Sequence, residues 1–114
     1  MKSALVVDDD RQVSALLERW LTNTGHTVTT INGFEDAKRR ILEGEELSLL
    51  IVDVRLEGFN GIHLAILGRQ RWPDLRIVVL SGWDDPVLRQ EASSCGATYL
   101  CKPVTAEDLQ HATS

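Results

Sequence analysis

The chain has 114 residues, 43% of them apolar, and carries 17 acidic side chains against 12 basic ones for a formal net charge of −5. That suffices for one globular domain with a single core. The acidic balance argues against direct binding to the phosphate backbone of nucleic acid, and no apolar run approaches bilayer-spanning length, which argues against a membrane. Met1-Lys2 leads towards a strand and not into a signal-peptide core, so a cytoplasmic location is expected, with Cys95 and Cys101 as free thiols.

Leu5-Val6-Val7 predicts a short buried strand ending at Asp8-Asp9-Asp10. A helix follows from Arg11 to Asn23, with Val13, Leu16, Leu17, Trp20 and Leu21 at helical spacing, Asp10 as its N-cap and Gly25 as its stop. Thr27 to Ile31 is β-branched and alternating, and a second helix runs from Asn32-Gly33 through Phe34, Ala37, Ile41 and Leu42 to Gly44. Leu47 to Val52 forms the third strand and stops at Asp53, an unusual place for a charge. Beyond a loop marked by Gly58 and Gly61, a third helix spans Ile62 to Arg71 and is closed by Pro73.

Arg76 to Leu80 is the fourth strand and ends at Ser81. Asp84-Asp85 then caps a helix that begins at Pro86 and runs to about Ser94. Cys95-Gly96-Ala97 turns the chain into the fifth strand, Tyr99 to Cys101, which Lys102-Pro103 ends. The last helix starts at Thr105 and extends to about Ala112, short or truncated, as if the domain of residues 1–114 were cut from a longer protein.

Alternating apolar strands and helices call for an α/β fold with a doubly wound, five-stranded parallel sheet in the flavodoxin-like order 2-1-3-4-5. Ligands of such sheets bind beyond the carboxyl ends of the strands, where the strand order reverses. Asp8, Asp9 and Asp53 fall at that crevice, with Ser81 and Lys102 on the neighbouring strands. Three carboxylates in one crevice favour a cation among them, and all-oxygen donors suit Mg²⁺ or Mn²⁺ better than zinc. Lys102 adds an ammonium and Ser81 a hydroxyl, so the constellation describes a pocket for a phosphoryl group with a carboxylate available to attack.

Val6-Val7-Asp8-Asp9, Asp53, Leu80-Ser81-Gly82, Gly96-Ala97 and Tyr99-Leu100-Cys101-Lys102-Pro103, in this order and at these distances, resemble the receiver domain of two-component response regulators over essentially the whole chain. The resemblance implies a phosphoacceptor switch and not an enzyme acting on an external substrate, with Asp53 taking a phosphoryl group from the phosphohistidine of a histidine kinase or phosphotransfer protein. It implies that Asp9, Asp53 and the backbone carbonyl of Arg55 hold Mg²⁺, with Asp8 acting through water. Lys102 pairs with the phosphoryl oxygens, Ser81 moves towards one of them, and Tyr99 turns inward behind it. The family also allows a homodimer through the face built by the fourth helix, fifth strand and fifth helix.

Two departures from the family pattern stand out. Leu56-Glu57 replaces the usual Met-Pro after the acceptor, which predicts a less rigid loop. Arg55 and Trp83, each two residues past a site residue, are both large and predict an acyl phosphate shielded from water and slow to hydrolyse. The rival reading is a magnesium-dependent phosphatase of the haloacid dehalogenase type with Asp8-x-Asp10 as its motif; the short chain and the missing later acidic pair count against it. A binding module on the same fold that works without phosphorylation is a third.

Overall fold

The computed structural model describes residues 2–113; Met1 and Ser114, the two ends of the predicted domain, lie outside them. Strands β1 (Lys2–Val7), β2 (His26–Ile31), β3 (Leu49–Asp53), β6 (Arg76–Ser81) and β7 (Thr98–Cys101) form one parallel sheet in the order β2-β1-β3-β6-β7. Counted along the main sheet alone this is the predicted 2-1-3-4-5 order. Helices α1 (Arg11–Asn23), α2 (Phe34–Glu43), α3 (Ile62–Arg71) and α4 (Pro86–Ser94) make the crossovers, and with α5 (Ala106–Thr113), which follows the last strand, they cover both faces.

Alternation along the central strands divides the core in two. Leu5 and Val7, Leu50 and Val52, and Ile77 and Val79 pack against α2, α3 and α4. Their neighbours Ala4 and Val6, Leu49 and Ile51, and Val78 and Leu80 pack against Leu17 and Leu21 of α1 and Leu109 and Ala112 of α5. Apolar residues at every position of a central strand are what two covered faces require. Leu16 and Leu42, both placed on apolar helix faces by spacing alone, are instead exposed, at 59% and 48% of their surface. Each adjoins the buried stripe of its helix without belonging to it.

The helix ends behave as their sequences dictate. Asp10 Oδ1 accepts from the amides of Gln12 and Val13, and Asp85 Oδ1 accepts from those of Val87 and Leu88. Thr105 and Asp108 form a reciprocal capping box at the start of α5. Of the predicted acidic pair, only Asp85 is a cap; Asp84 turns to Arg89 at 3.0 Å.

The segment after Asp53 departs from the predicted loop. Arg55–Leu56 (β4) and Phe59–Asn60 (β5) pair antiparallel, and the connecting Glu57 and Gly58 both have positive φ, 49° and 86°. Two consecutive left-handed residues make the tight hairpin turn whose twist matches its strands, and glycine at the second position relieves half the strain. The loop is thus ordered by a hairpin where Leu56-Glu57 suggested looseness. Leu56 is fully buried beneath it.

Candidate functional site

Each site residue stands where a parallel strand ends, and one further backbone bond fixes the chain there. The Asp8 amide donates to Ile31 O at 3.2 Å, the Val54 amide to Leu80 O at 2.9 Å and the Lys102 amide to Ser81 O at 2.7 Å. These bonds carry the sheet's register one step past its strands, so Asp8, Asp53 and Lys102, from the ends of three strands, meet on rigid backbone. Gly61 closes the floor: its amide donates to Val54 O at 2.6 Å, and a Cβ at this position would lie 1.9 Å from the carbonyl oxygen of Asp53. Only glycine fits against the acceptor strand there.

Asp8, Asp9 and Asp53 each present a carboxylate oxygen within 4.8 Å of the others. Asp8 and Asp53 are 1% and 7% exposed, whereas Asp9 faces solvent. Lys102 Nζ lies between the buried pair, 3.0 Å from Asp8 Oδ2 and 3.4 Å from Asp53 Oδ2. Burial and the neighbouring Asp8 push the Asp53 pKa up to about 6, against the opposing pull of Lys102. Burial works against the Lys102 ammonium, yet the two carboxylates outweigh it and raise its pKa. The crevice therefore holds an ionised lysine facing carboxylates that repel one another.

A divalent cation fits this donor set. Asp8 Oδ1 accepts the amide of Asp10, but the buried Asp8 Oδ2 has no directed hydrogen bond despite its ion pair with Lys102. Three carboxylates gathered within 4.8 Å of one another and opposed by a single ammonium, with no nitrogen or sulfur donor in the group, are suited to a hard ion of the Mg²⁺ type. Asp10 is occupied as a helix cap, so Asp8-x-Asp10 is not a paired catalytic motif and the phosphatase reading loses its signature.

Ser81 and Tyr99 are both tied to the Trp83 carbonyl. Ser81, 2% exposed, donates from Oγ to Trp83 O at 2.9 Å and accepts the Trp83 amide at 3.3 Å. Its hydroxyl is engaged by its own loop and not by the carboxylates. Tyr99 is already inward, with its hydroxyl donating to the same Trp83 carbonyl at 2.7 Å. Around the rim, the Arg55 guanidinium carbon lies 4.1 Å from the centroid of the Trp83 ring and that of Arg89 lies 4.7 Å from the Tyr99 ring. Neither the Trp83 carbonyl nor Arg89 was singled out by sequence. The first is a backbone atom with no sequence signal, and the second reads as an ordinary exposed helix residue. No histidine belongs to the carboxylate cluster found among the described residues, and both cysteines are free thiols.

A family model described as the response regulator receiver domain matches residues 4–114. The chain is 35% identical over 112 residues to the photosynthetic apparatus regulatory protein RegA of Cereibacter sphaeroides, an alignment covering 97% of this chain and 60% of RegA. The chain thus spans about three-fifths of that relative's length. Among solved structures it matches, with a TM-score of 0.89 and 29% identity, a response regulator protein from Burkholderia pseudomallei with a phosphorylated aspartic acid, calcium ion and citrate, over 100% of this chain and 67% of that one. A receiver domain protein from Clostridium thermocellum matches at a TM-score of 0.87 with 26% identity, over 99% of this chain and 91% of that one.

Proposed function

The chain belongs to the response regulator receiver domain family, and on that premise we propose that it accepts a phosphoryl group on Asp53 from the phosphohistidine of a histidine kinase or phosphotransfer protein. Residues 1–114 act in this reading as one cytoplasmic phosphoacceptor domain. The observation that carries it is the placement of the Asp53 carboxylate. It is almost buried, ends a central strand, lies 3.4 Å from Lys102 and shares a cluster with Asp8 and Asp9.

A carboxylate oxygen of Asp53 attacks the phosphorus as the P–N bond to the partner's imidazole breaks; the electron pair of that bond stays on the imidazole nitrogen. Burial and Asp8 raise the Asp53 pKa to about 6 in the metal-free site, which leaves the carboxyl mostly ionised at neutral pH. Lys102 releases Asp53 Oδ2 and pairs with a phosphoryl oxygen, keeping its ammonium near Asp8. Ser81 exchanges the Trp83 carbonyl for another phosphoryl oxygen. Asp9, Asp53 and the Arg55 carbonyl would hold Mg²⁺, or Mn²⁺ in its place, with Asp8 acting through water. When bound, the ion would supply positive charge against the phosphoryl oxygens. The switch is read out by the α4–β7–α5 face, which also offers a homodimer surface.

Intact mass after incubation with Mg²⁺ and acetyl phosphate tests this. One phosphoryl adduct, absent from Asp53→Asn, is expected. Continuous release of phosphate from simple esters would point to a phosphatase, and no adduct with any donor or metal would overturn the proposal.

A further inference from the structure

Tyr99, the one tyrosine of the chain, is held at both its hydroxyl and its ring. The hydroxyl donates to Trp83 O, and the Arg89 guanidinium stands over the ring. Arg89 is itself fixed: its Nε donates to Asp84 Oδ1 at 3.0 Å, and its Nη2 lies 4.0 Å from Cys101 Sγ on the same strand as Tyr99. An arginine half exposed on a helix surface is ordinarily free to sample many rotamers. Here Asp84, just before the α4 cap, directs its planar fork back across the start of the helix onto β7. A cation over the negative face of an aromatic ring favours keeping the ring beneath it.

The Trp83 carbonyl gives this arrangement its consequence. A carbonyl oxygen has two lone pairs, and here both Ser81 and Tyr99 donate to it. If Ser81 turns away, Tyr99 keeps the acceptor satisfied and no partly buried carbonyl is left unpaired. An inward Tyr99 therefore lowers the cost of moving Ser81.

We propose that Arg89, oriented by Asp84, is the positioning residue that keeps Tyr99 inward before any phosphoryl group arrives, so that the conformational change begins with Ser81 and not with rotation of the tyrosine. The holding of Tyr99 stands on its own geometry; only the order of events rests on the phosphoacceptor reading.

A single tyrosine makes the test direct. The whole chain is labelled with 3-fluorotyrosine, and its one fluorine resonance is followed with a soluble paramagnetic agent that broadens solvent-exposed groups. In the unmodified protein the signal is expected to be protected. In Arg89→Met, which keeps much of the apolar stem without the charge, broadening rises several-fold. Arg89→Lys restores part of the protection, and Asp84→Asn shifts it in the same direction as Arg89→Met while touching no packed residue. A purely structural role would not give this ranking while the thermal midpoint stays nearly constant.

Addition of Mg²⁺ and acetyl phosphate, with the adduct checked by mass, is expected to move the fluorine signal of Arg89→Met towards the protected position and that of the unmodified protein hardly at all. Equal protection in Arg89→Met and the unmodified chain would overturn the proposal. So would a wild-type ring that is exposed at first and buried only after the adduct forms. Absence of the adduct would count against the phosphoacceptor reading and leave the first comparison intact.

Discussion

Arg55 and Trp83 stack beside the mouth of the crevice, the guanidinium carbon 4.1 Å from the centre of the indole ring, although they belong to different loops. Arg55 comes from the hairpin after β3 and Trp83 from the loop after β6, so the pair joins the segments that flank Asp53 and Ser81. A contact of this kind at a surface contributes about 0.5–1 kcal/mol. That is enough to bias the pair towards a closed arrangement while leaving it able to open.

Closure at that position would shield an acyl phosphate on Asp53 from in-line attack by water. Trp83→Ala should shorten the half-life of the phosphorylated protein by about 3- to 10-fold, which corresponds to ~1 kcal/mol of barrier. Arg55→Ala should do the same to a smaller extent, and the double variant should be less than additive because both changes remove one contact. Loss of the adduct followed by mass gives the rates. An unchanged or longer lifetime in Trp83→Ala would rule out shielding by this residue.

Gly61 is the least replaceable glycine near the site. A methyl group there would sit 1.9 Å from Asp53 O and 2.9 Å from a Val52 methyl, both on the central strand. Gly61→Ala should therefore cost more than about 2 kcal/mol and reduce phosphorylation of whatever fraction folds. Gly58→Ala meets no neighbouring atom and should cost only about 1 kcal/mol from its left-handed backbone. Urea midpoints of the two variants, measured side by side, separate steric from conformational cost.

The raised pKa of Asp53 predicts a stability that falls as pH rises. Between the unfolded value near 3.8 and the folded value of about 6, the native state binds the extra proton. Stability from this group thus declines across that window and is lowest above pH 6. Without divalent metal, Asp53→Asn should be the more stable protein at pH 7.5, by on the order of 1 kcal/mol or a few degrees in Tm. The advantage should shrink as pH falls through 6 towards 4. Thermal melts in a chelating buffer across that range measure it, and a gap that widened on acidification would contradict the assignment.

Lys102 is the cation that separates Asp8 from Asp53. Replacing it with methionine leaves two buried carboxylates facing each other, which should cost about 2 kcal/mol or more at neutral pH. The penalty should diminish as the pH falls and Asp53, no longer held down by the ammonium, takes up a proton, and millimolar Mg²⁺ should stabilise Lys102→Met more than the wild type. Denaturation midpoints with and without the metal give the comparison.

Much of the fold was legible in the sequence because strands buried on both faces have a distinctive composition. Leu49 to Val52 and Ile77 to Leu80 have no other plausible environment, and their charged or hydroxylic ends draw attention to Asp53 and Ser81. Periodicity was less informative at the edges of helix faces. Leu16 and Leu42 fit an apolar stripe by number and still lie outside it. The hairpin at Glu57-Gly58 was missed although a two-residue turn ending in glycine is a hairpin signal, because the flanking strands are only two residues long. The shared Trp83 carbonyl, like Arg89 reaching β7 from α4, is a tertiary relationship that no local pattern encodes.

Asp8 lies near one end of the chain and Lys102 near the other, and they meet only when β1, β3, β6 and β7 are aligned side by side. Contacts so distant along the polypeptide close late, after the loop entropy of the intervening chain has been overcome. A nascent chain emerging from the ribosome therefore carries Asp53 for some time before it carries Lys102. On the proposed reading, chemical competence would arrive only with completed tertiary structure, so phosphorylation would report that β1, β3, β6 and β7 have been brought side by side.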